Sequence, residues 1–269
     1  MNAAPRHPAV AGRFYPDRPE LLARELAACI PAHEPAAPAL MLMGPHAGWM
    51  YSGAIAGLTW ARTAVPRRVI LLAPNHTGVG PSISLWSGGP WLLPGGDLAI
   101  DEPLRDAIAE IDGVTLDASA HAREHAIEVH LPMLRARRPD ARIVPLVLSR
   151  LAAPQCAALG RALAQAIARC GDEVLVVAST DMSHYVPVAV ADALDHSALD
   201  RVLALDPDGL HHTVEREHIS MCGYVPTAVA LHCARARGAH TAALVRYGHS
   251  GETSGDLRRV VGYAGVLVA

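Results

Sequence analysis

Ala39-Leu40-Met41-Leu42-Met43-Gly44-Pro45-His46 and Arg68-Val69-Ile70-Leu71-Leu72-Ala73-Pro74-Asn75-His76 are the two stretches that decide the fold. Each is a short continuous apolar run, the pattern of a strand covered on both faces, and each runs into a polar turn carrying a histidine. Residues 53–64 between them read as a helix, so the pair forms a βαβ unit whose second strand ends at His76. Ligands of open α/β sheets bind outside the carboxyl ends of the strands, where both imidazoles then stand, on what the pattern suggests are adjacent strands.

The alternation continues along the chain. Helices are expected over 21–30, from the Asp101 N-cap to about 111, and over 124–137, 154–170, 190–205 and 226–237. Strands are expected over 82–86, 141–148, 173–178, 241–247 and 260–268, with 91–100 irregular or a hairpin. This order predicts an α/β fold with a mainly parallel or mixed central sheet flanked by helices on both faces. With 269 residues, 51% hydrophobic and 18% charged, and no linker or repeat to divide 1–269, one domain is expected.

Composition narrows the function. A net charge of −3 argues against nucleic acid and anionic lipid as partners. No apolar run suits a membrane span and no signal-like segment opens the sequence, so a cytoplasmic protein is expected. Its cation-forming Lys/Arg set is entirely arginine, which removes Schiff-base chemistry. Five cysteines without a C-x-x-C pair speak against a disulfide framework.

Two more polar clusters flank apolar runs: Ser179-Thr180-Asp181-Met182-Ser183-His184 and Ser220-Met221-Cys222-Gly223. Two imidazoles, His46 and His76, with the Cys222 thiol suggest a metal, although a hydrogen-bonded loop histidine or an inert cysteine is the ordinary alternative for each alone. A helix following Cys222 would lower its thiol pKa. Asp181 and His184 would share a face if the chain turns helically there, giving an acid/base pair. His125, Glu128 and His130, in a segment that superficially resembles but does not match H-E-x-x-H, are candidates for the substrate opening or for supporting the metal site. His211-His212 reads as solvated surface.

These residues also carry a family resemblance. Ala9-Val10-Ala11-Gly12-Arg13-Phe14-Tyr15-Pro16, Pro45-His46-Ala47-Gly48 with Tyr51-Ser52-Gly53, Pro74-Asn75-His76, Glu124-His125-Ala126-Ile127-Glu128-Val129-His130-Leu131-Pro132, Ser179-Thr180-Asp181 with His184, Cys222-Gly223 and Gly262-Tyr263-Ala264 resemble, in order, the signatures of the Memo family. The composition points to the branch called AmmeMemoRadiSam system protein B. The resemblance implies a fold like the LigB-type class III extradiol dioxygenases, with His46, His76 and Cys222 as ligands of iron (Fe2+). It also implies Asp181 and His184 in the same pocket, and partners of the AMMECR and radical-SAM types.

A two-histidine, one-thiolate set would be a variant of the facial triad of non-haem iron oxygenases; the thiolate softens it toward copper, and zinc suits the same donors. The leading expectation is a mononuclear non-haem iron oxidoreductase of the dioxygenase kind, acting on an unidentified small molecule. In it His184, oriented by Asp181, moves protons, and His125 or His130 lines the opening. Trp49 and Tyr51, with Glu128, complete the expected substrate pocket. Trp49 and Gly248-His249-Ser250-Gly251 depart from the family pattern. A non-catalytic metal- or peptide-binding scaffold and a zinc-dependent hydrolase are the alternatives.

Overall fold

The computed structural model describes residues 4–171 and 173–269. In chain order the elements are α1 Pro19–Cys29, β1 Met41–Gly44, α2 Trp49–Ala61, β2 Arg68–Pro74, β3 Ile83–Trp86, β4 Trp91–Leu93, β5 Gly96–Ile100, α3 Glu102–Ala109 and β6 Thr115–Asp117. A 3-10 turn over Glu128–His130 leads into α4 Leu131–Arg137, β7 Arg142–Leu148, α5 Ala153–Cys170, β8 Val174–Ser179 and β9 His184–Val186. The chain closes with α6 Val188–Leu203, α7 Pro207–Glu217, α8 Tyr224–Ala236, β10 Ala242–His249, α9 Gly251–Ser254 and β11 Val260–Val268.

The main sheet runs β10-β11-β1-β8-β2-β7-β3-β6, with β5 also on β7 and β9 on β11. Its centre, β1-β8-β2-β7, is parallel, while β11 and β3 pair antiparallel with β1 and β7. The sheet is therefore mixed. The two histidine-bearing strands are not neighbours: β8 lies between them, with Gly44 opposite Ser179 and Leu72 opposite Ala178. The sequence pattern fixes each strand but not the order in which non-local strands pair.

Side-chain alternation divides the core in two. Met41, Met43, Ile70, Leu72, Val144, Leu146, Val174 and Val176 face one layer with Leu104 and Ile108 of α3, Leu159 and Leu163 of α5, Leu199 and Val202 of α6 and Val229 of α8. Leu42, Val69, Leu71, Ile143, Leu175 and Val177 face the other, with Leu22 of α1, Trp60 of α2 and Leu131 and Leu134 of α4. Burial on both faces is what makes the central strands read as unbroken apolar runs.

Four local expectations give way. Residues 124–127 are not helical; the Glu124 carboxylate folds back onto the N–H groups of His125 and Ala126, and a helix starts only at Leu131 with Pro132 in its first turn. Helix α2 begins at Trp49 rather than near 53, because Trp49 N–H bonds the Phe14 carbonyl and its indole is buried. After Asp181 the chain extends into β9 against β11 instead of turning helically. His211 and His212, expected on solvated surface, lie in α7, which Asp206 caps; His212 is exposed, but His211 is buried with Nε2 2.9 Å from the Leu151 carbonyl.

Asp101 does cap α3, accepting from Leu104 N–H, and also accepts from Nε and Nη2 of Arg68 at 2.6 and 2.8 Å. Burial pushes its carboxyl up, but the Arg68 and Leu104 hydrogen bonds with the Arg68 charge outweigh this and hold it below the ordinary aspartate range. A depressed folded pKa contributes stability above the ordinary value, and the contribution is lost as pH falls through the folded pKa. Asp101→Asn, which retains a good cap but removes the charge shared with the Arg68 guanidinium, is expected to lower stability by about 3 kcal/mol at pH 7. In urea unfolding the gap between variant and wild type should close as pH is lowered below about 4; a pH-independent gap contradicts the pairing.

Candidate metal centre

β1, β2 and β8 deliver His46, His76 and Asp181 to one edge of the sheet, and the loop before the 3-10 turn adds His125. Ligating atoms of His46, His76 and His125 lie within 4.8 Å of one another. The His76 and His125 rings stack at 4.6 Å between centroids, and His46 stands edge-on to both at 5.2 and 5.3 Å. The sequence places His46 and His76 together as seen here, whereas His125, expected at the substrate opening, stands inside the cluster.

Glu124 explains that position. Its fully buried carboxylate accepts His76 N–H at 2.7 Å, His76 Nδ1–H at 2.9 Å and the His125 and Ala126 N–H groups, with His125 Nδ1 at 3.3 Å. Burial raises its pKa, but the His76 interactions and the Ala126 N–H bond more than offset that and keep it ionised at neutral pH. A carboxylate on Nδ1 leaves Nε2 of His76 available to a metal, as in carboxylate–histidine–metal triads. The sequence pattern does not mark Glu124 as a site residue; its one signal is its place beside His125 in the histidine-rich segment 121–130.

Burial, with the neighbouring His125 and His76 rings, holds the His46 imidazole well below its ordinary pKa; burial likewise brings His125 down to about 4. Both are neutral at pH 7, the form that ligates metals.

Cys222 stands beside His46. Its sulfur lies 3.3 Å from His46 Nε2 and accepts Asp181 N–H at 3.3 Å. The close approach needs Gly223, where a Cβ would meet the Ser179 carbonyl at 2.3 Å. Burial and the Asp181 charge push the thiol up, the reverse of the helix-terminus expectation: Cys222 precedes the N-cap of α8, so desolvation outweighs the dipole.

The donors fit a metal. Bonds of about 2.0–2.1 Å to imidazole and 2.3 Å to thiolate put cis N and S ligands roughly 3.1–3.6 Å apart, and His46 Nε2 and Cys222 Sγ meet that spacing. Cys222 is outside the three-imidazole group, so His46 is common to two overlapping ligand sets.

Asp181 anchors the turn carrying His46 by accepting His46 and Ala47 N–H at 2.8 and 3.3 Å; burial raises its carboxyl pKa. It does not orient His184 through a hydrogen bond. His184 Nδ1 donates to the Ser220 carbonyl at 2.9 Å, leaving Nε2 free.

A cavity of about 650 Å³ opens onto His46, His76, His125, Asp181 and His184, with Phe14, Tyr51 and Tyr185 in its walls. Phe14 packs on His125 at 4.9 Å, and Arg259 lies over Tyr185 at the mouth. Trp49, Glu128 and His130, expected in the substrate pocket, are buried outside this lining. Glu128 ties the N-terminal segment down, accepting from Arg6, Ala9 N–H, Val10 N–H and Tyr15. The Trp49 indole donates to the Val129 carbonyl, and His130 lies between Trp60 and Ser179.

An α/β protein with imidazoles and a thiol gathered at the carboxyl edge of a mixed sheet is the class these observations define. A sequence profile for Memo-like proteins matches residues 6–267. A MEMO1 family protein of Methanothermobacter thermautotrophicus is 37% identical over 272 residues, covering 96% of this chain and 98% of its own, and one of Aquifex aeolicus is 37% identical over 265 residues, covering 97% and 98%. The chain belongs to the Memo family. The crystal structure of an uncharacterized protein from Escherichia coli K12 shares the fold, with a TM-score of 0.58 at 16% identity over 84% of this chain and 98% of that one. Among the described residues no helix is long and apolar enough to cross a membrane.

Glu124→Gln is expected to keep the fold while weakening metal binding about 10–100-fold. Zinc titration against a chromophoric chelator, with circular dichroism as the fold control, tests this; unchanged affinity contradicts the clamp on His76 and His125.

Proposed function

We propose that this chain holds a single redox-active metal, iron (Fe2+) foremost, between His46 and His76, and acts as a mononuclear non-haem oxidoreductase on a small molecule admitted by the 650 Å³ cavity. The observation that carries the reading is the convergence of three imidazoles on a cavity floor, with the Cys222 thiol 3.3 Å from Nε2 of one of them, His46. Cys222, reaching His46 at ligand spacing, is the third protein ligand in this reading, and copper is the second metal such a soft donor admits. Bound iron supplies one-electron redox chemistry at coordination positions the protein leaves open.

The chain's own residues do the rest. Glu124 fixes His76 and His125, and Asp181 holds the His46 turn in place. His184, with Nδ1 committed to the Ser220 carbonyl, accepts or returns a proton at Nε2 on the cavity wall. Phe14 against His125 limits water on that side of the floor.

The three-imidazole group favours a second reading, a zinc site of His46, His76 and His125 that activates water for hydrolysis. Metal content of anaerobically purified protein separates the two. Iron near one equivalent, lost in His46→Ala and Cys222→Ser and retained in part by His125→Ala, together with oxygen consumption by the loaded protein, is the expected result. Zinc lost with His125→Ala but indifferent to Cys222→Ser supports the hydrolytic site. Metal indifferent to His46→Ala overturns both.

A further inference from the structure

Ser179 sits at the end of β8 beneath His46, and three polar partners surround its hydroxyl: the Ala126 carbonyl at 2.7 Å, His46 Nδ1 at 2.7 Å and His130 Nε2 at 3.1 Å. A hydroxyl has one hydrogen to give and two lone pairs to fill. We propose that Ser179 is the positioning residue that fixes His46 in the Nδ1–H tautomer, its own hydroxyl hydrogen being committed to the Ala126 carbonyl. This rests on the reading that a metal binds Nε2 of His46.

The directions follow from which partners can only donate or only accept. The Trp60 indole N–H can only donate, and it lies 3.3 Å from His130 Nδ1. His130 Nδ1 therefore accepts, the hydrogen of this ring is on Nε2, and Nε2–H donates to Ser179. His130 is thereby removed as an acceptor for the hydroxyl. Two acceptors remain for the Ser179 hydrogen, the Ala126 carbonyl and His46 Nδ1. The carbonyl cannot donate in return, and no other donor reaches it among the described hydrogen bonds. Turning the hydroxyl toward His46 would orphan a buried carbonyl and place the imidazole hydrogen on Nε2, against Cys222 and the metal position. With the hydroxyl on Ala126, His46 Nδ1–H donates to Ser179 and Nε2 keeps its lone pair for a ligand.

Ser179 is 1% exposed and stands outside the cavity lining, so its effect is exerted through His46. Its position is a consequence of strand order: β8 is the strand between β1 and β2, and Ser179 is opposite Gly44, two residues before His46. A serine there serves both rings from one atom.

Long-range 1H–15N NMR on metal-free protein reads each histidine tautomer, with His46 assigned from a His46→Gln spectrum. Wild type is expected to show His46 protonated on Nδ1 and His130 on Nε2. Ser179→Ala should move His46 toward the Nε2–H form and weaken zinc binding about 10–100-fold, and Ser179→Thr should restore both. Trp60→Phe is the control: it frees His130 to change tautomer while His46 keeps Nδ1–H and zinc affinity stays within about threefold, since Ser179 still accepts from His46. His46 found as Nε2–H in wild type, or unaltered in Ser179→Ala, overturns the proposal, and the wild-type spectrum decides even if a variant does not fold. Zinc failing to bind wild type at His46 while the tautomers are as stated would instead count against the metal reading.

Discussion

Parallel pairing of β8 between β1 and β2 is the constraint on which the site depends. It brings the turns after three strands side by side, so His46, Asp181 and His76 meet although far apart in sequence. Because the strands are buried on both faces, a one-residue slip would exchange the two core layers as well as misplace Ser179 under His46. The apolar packing that fixes the register thus also fixes the polar geometry at the strand ends.

At that edge, the polar groups are held in place by buried acceptors. Glu124 gathers donors from two histidines and the backbone, Asp181 gathers the His46 turn, and Glu128 gathers the N-terminal segment that places Phe14 on His125. Each is a carboxylate removed from water, tolerable because several N–H or O–H groups replace its hydration. The same desolvation drives the neighbouring imidazoles toward their neutral form and the Cys222 thiol toward its protonated one. A metal cation entering this environment would meet imidazoles already in ligating form and would have to displace the thiol proton.

Much of this was legible in the sequence, for reasons that differ by residue. The apolar runs at 41–44 and 68–74 announce buried strands, and His46 and His76 each stand two residues past the end of such a run. Asp101 as a helix cap is a local signal, visible in the residues on either side of it. What failed was non-local or electrostatic. The strand order that puts β8 between β1 and β2 leaves no local mark, and the role of Ser179 depends on it. Residues 124–130 keep helical spacing, yet Glu124 satisfies backbone donors with its side chain and so ends the regularity that the spacing suggests. Glu128 looked like a pocket acid because its partner, Arg6, is 122 residues away in sequence. The thiol of Cys222 departs from its expected pKa direction because burial is not visible in a four-residue motif.

The central claim is that one metal ion sits between the His46 and His76 imidazoles. X-ray absorption spectroscopy of iron-loaded protein, paired with anomalous diffraction from the same preparation, tests it most directly. The account predicts one ion, bound by His46 Nε2 and His76 Nε2 with at least one further ligand from Cys222 or His125. An ion held elsewhere on the chain, or a shell lacking either of those two imidazoles, contradicts it.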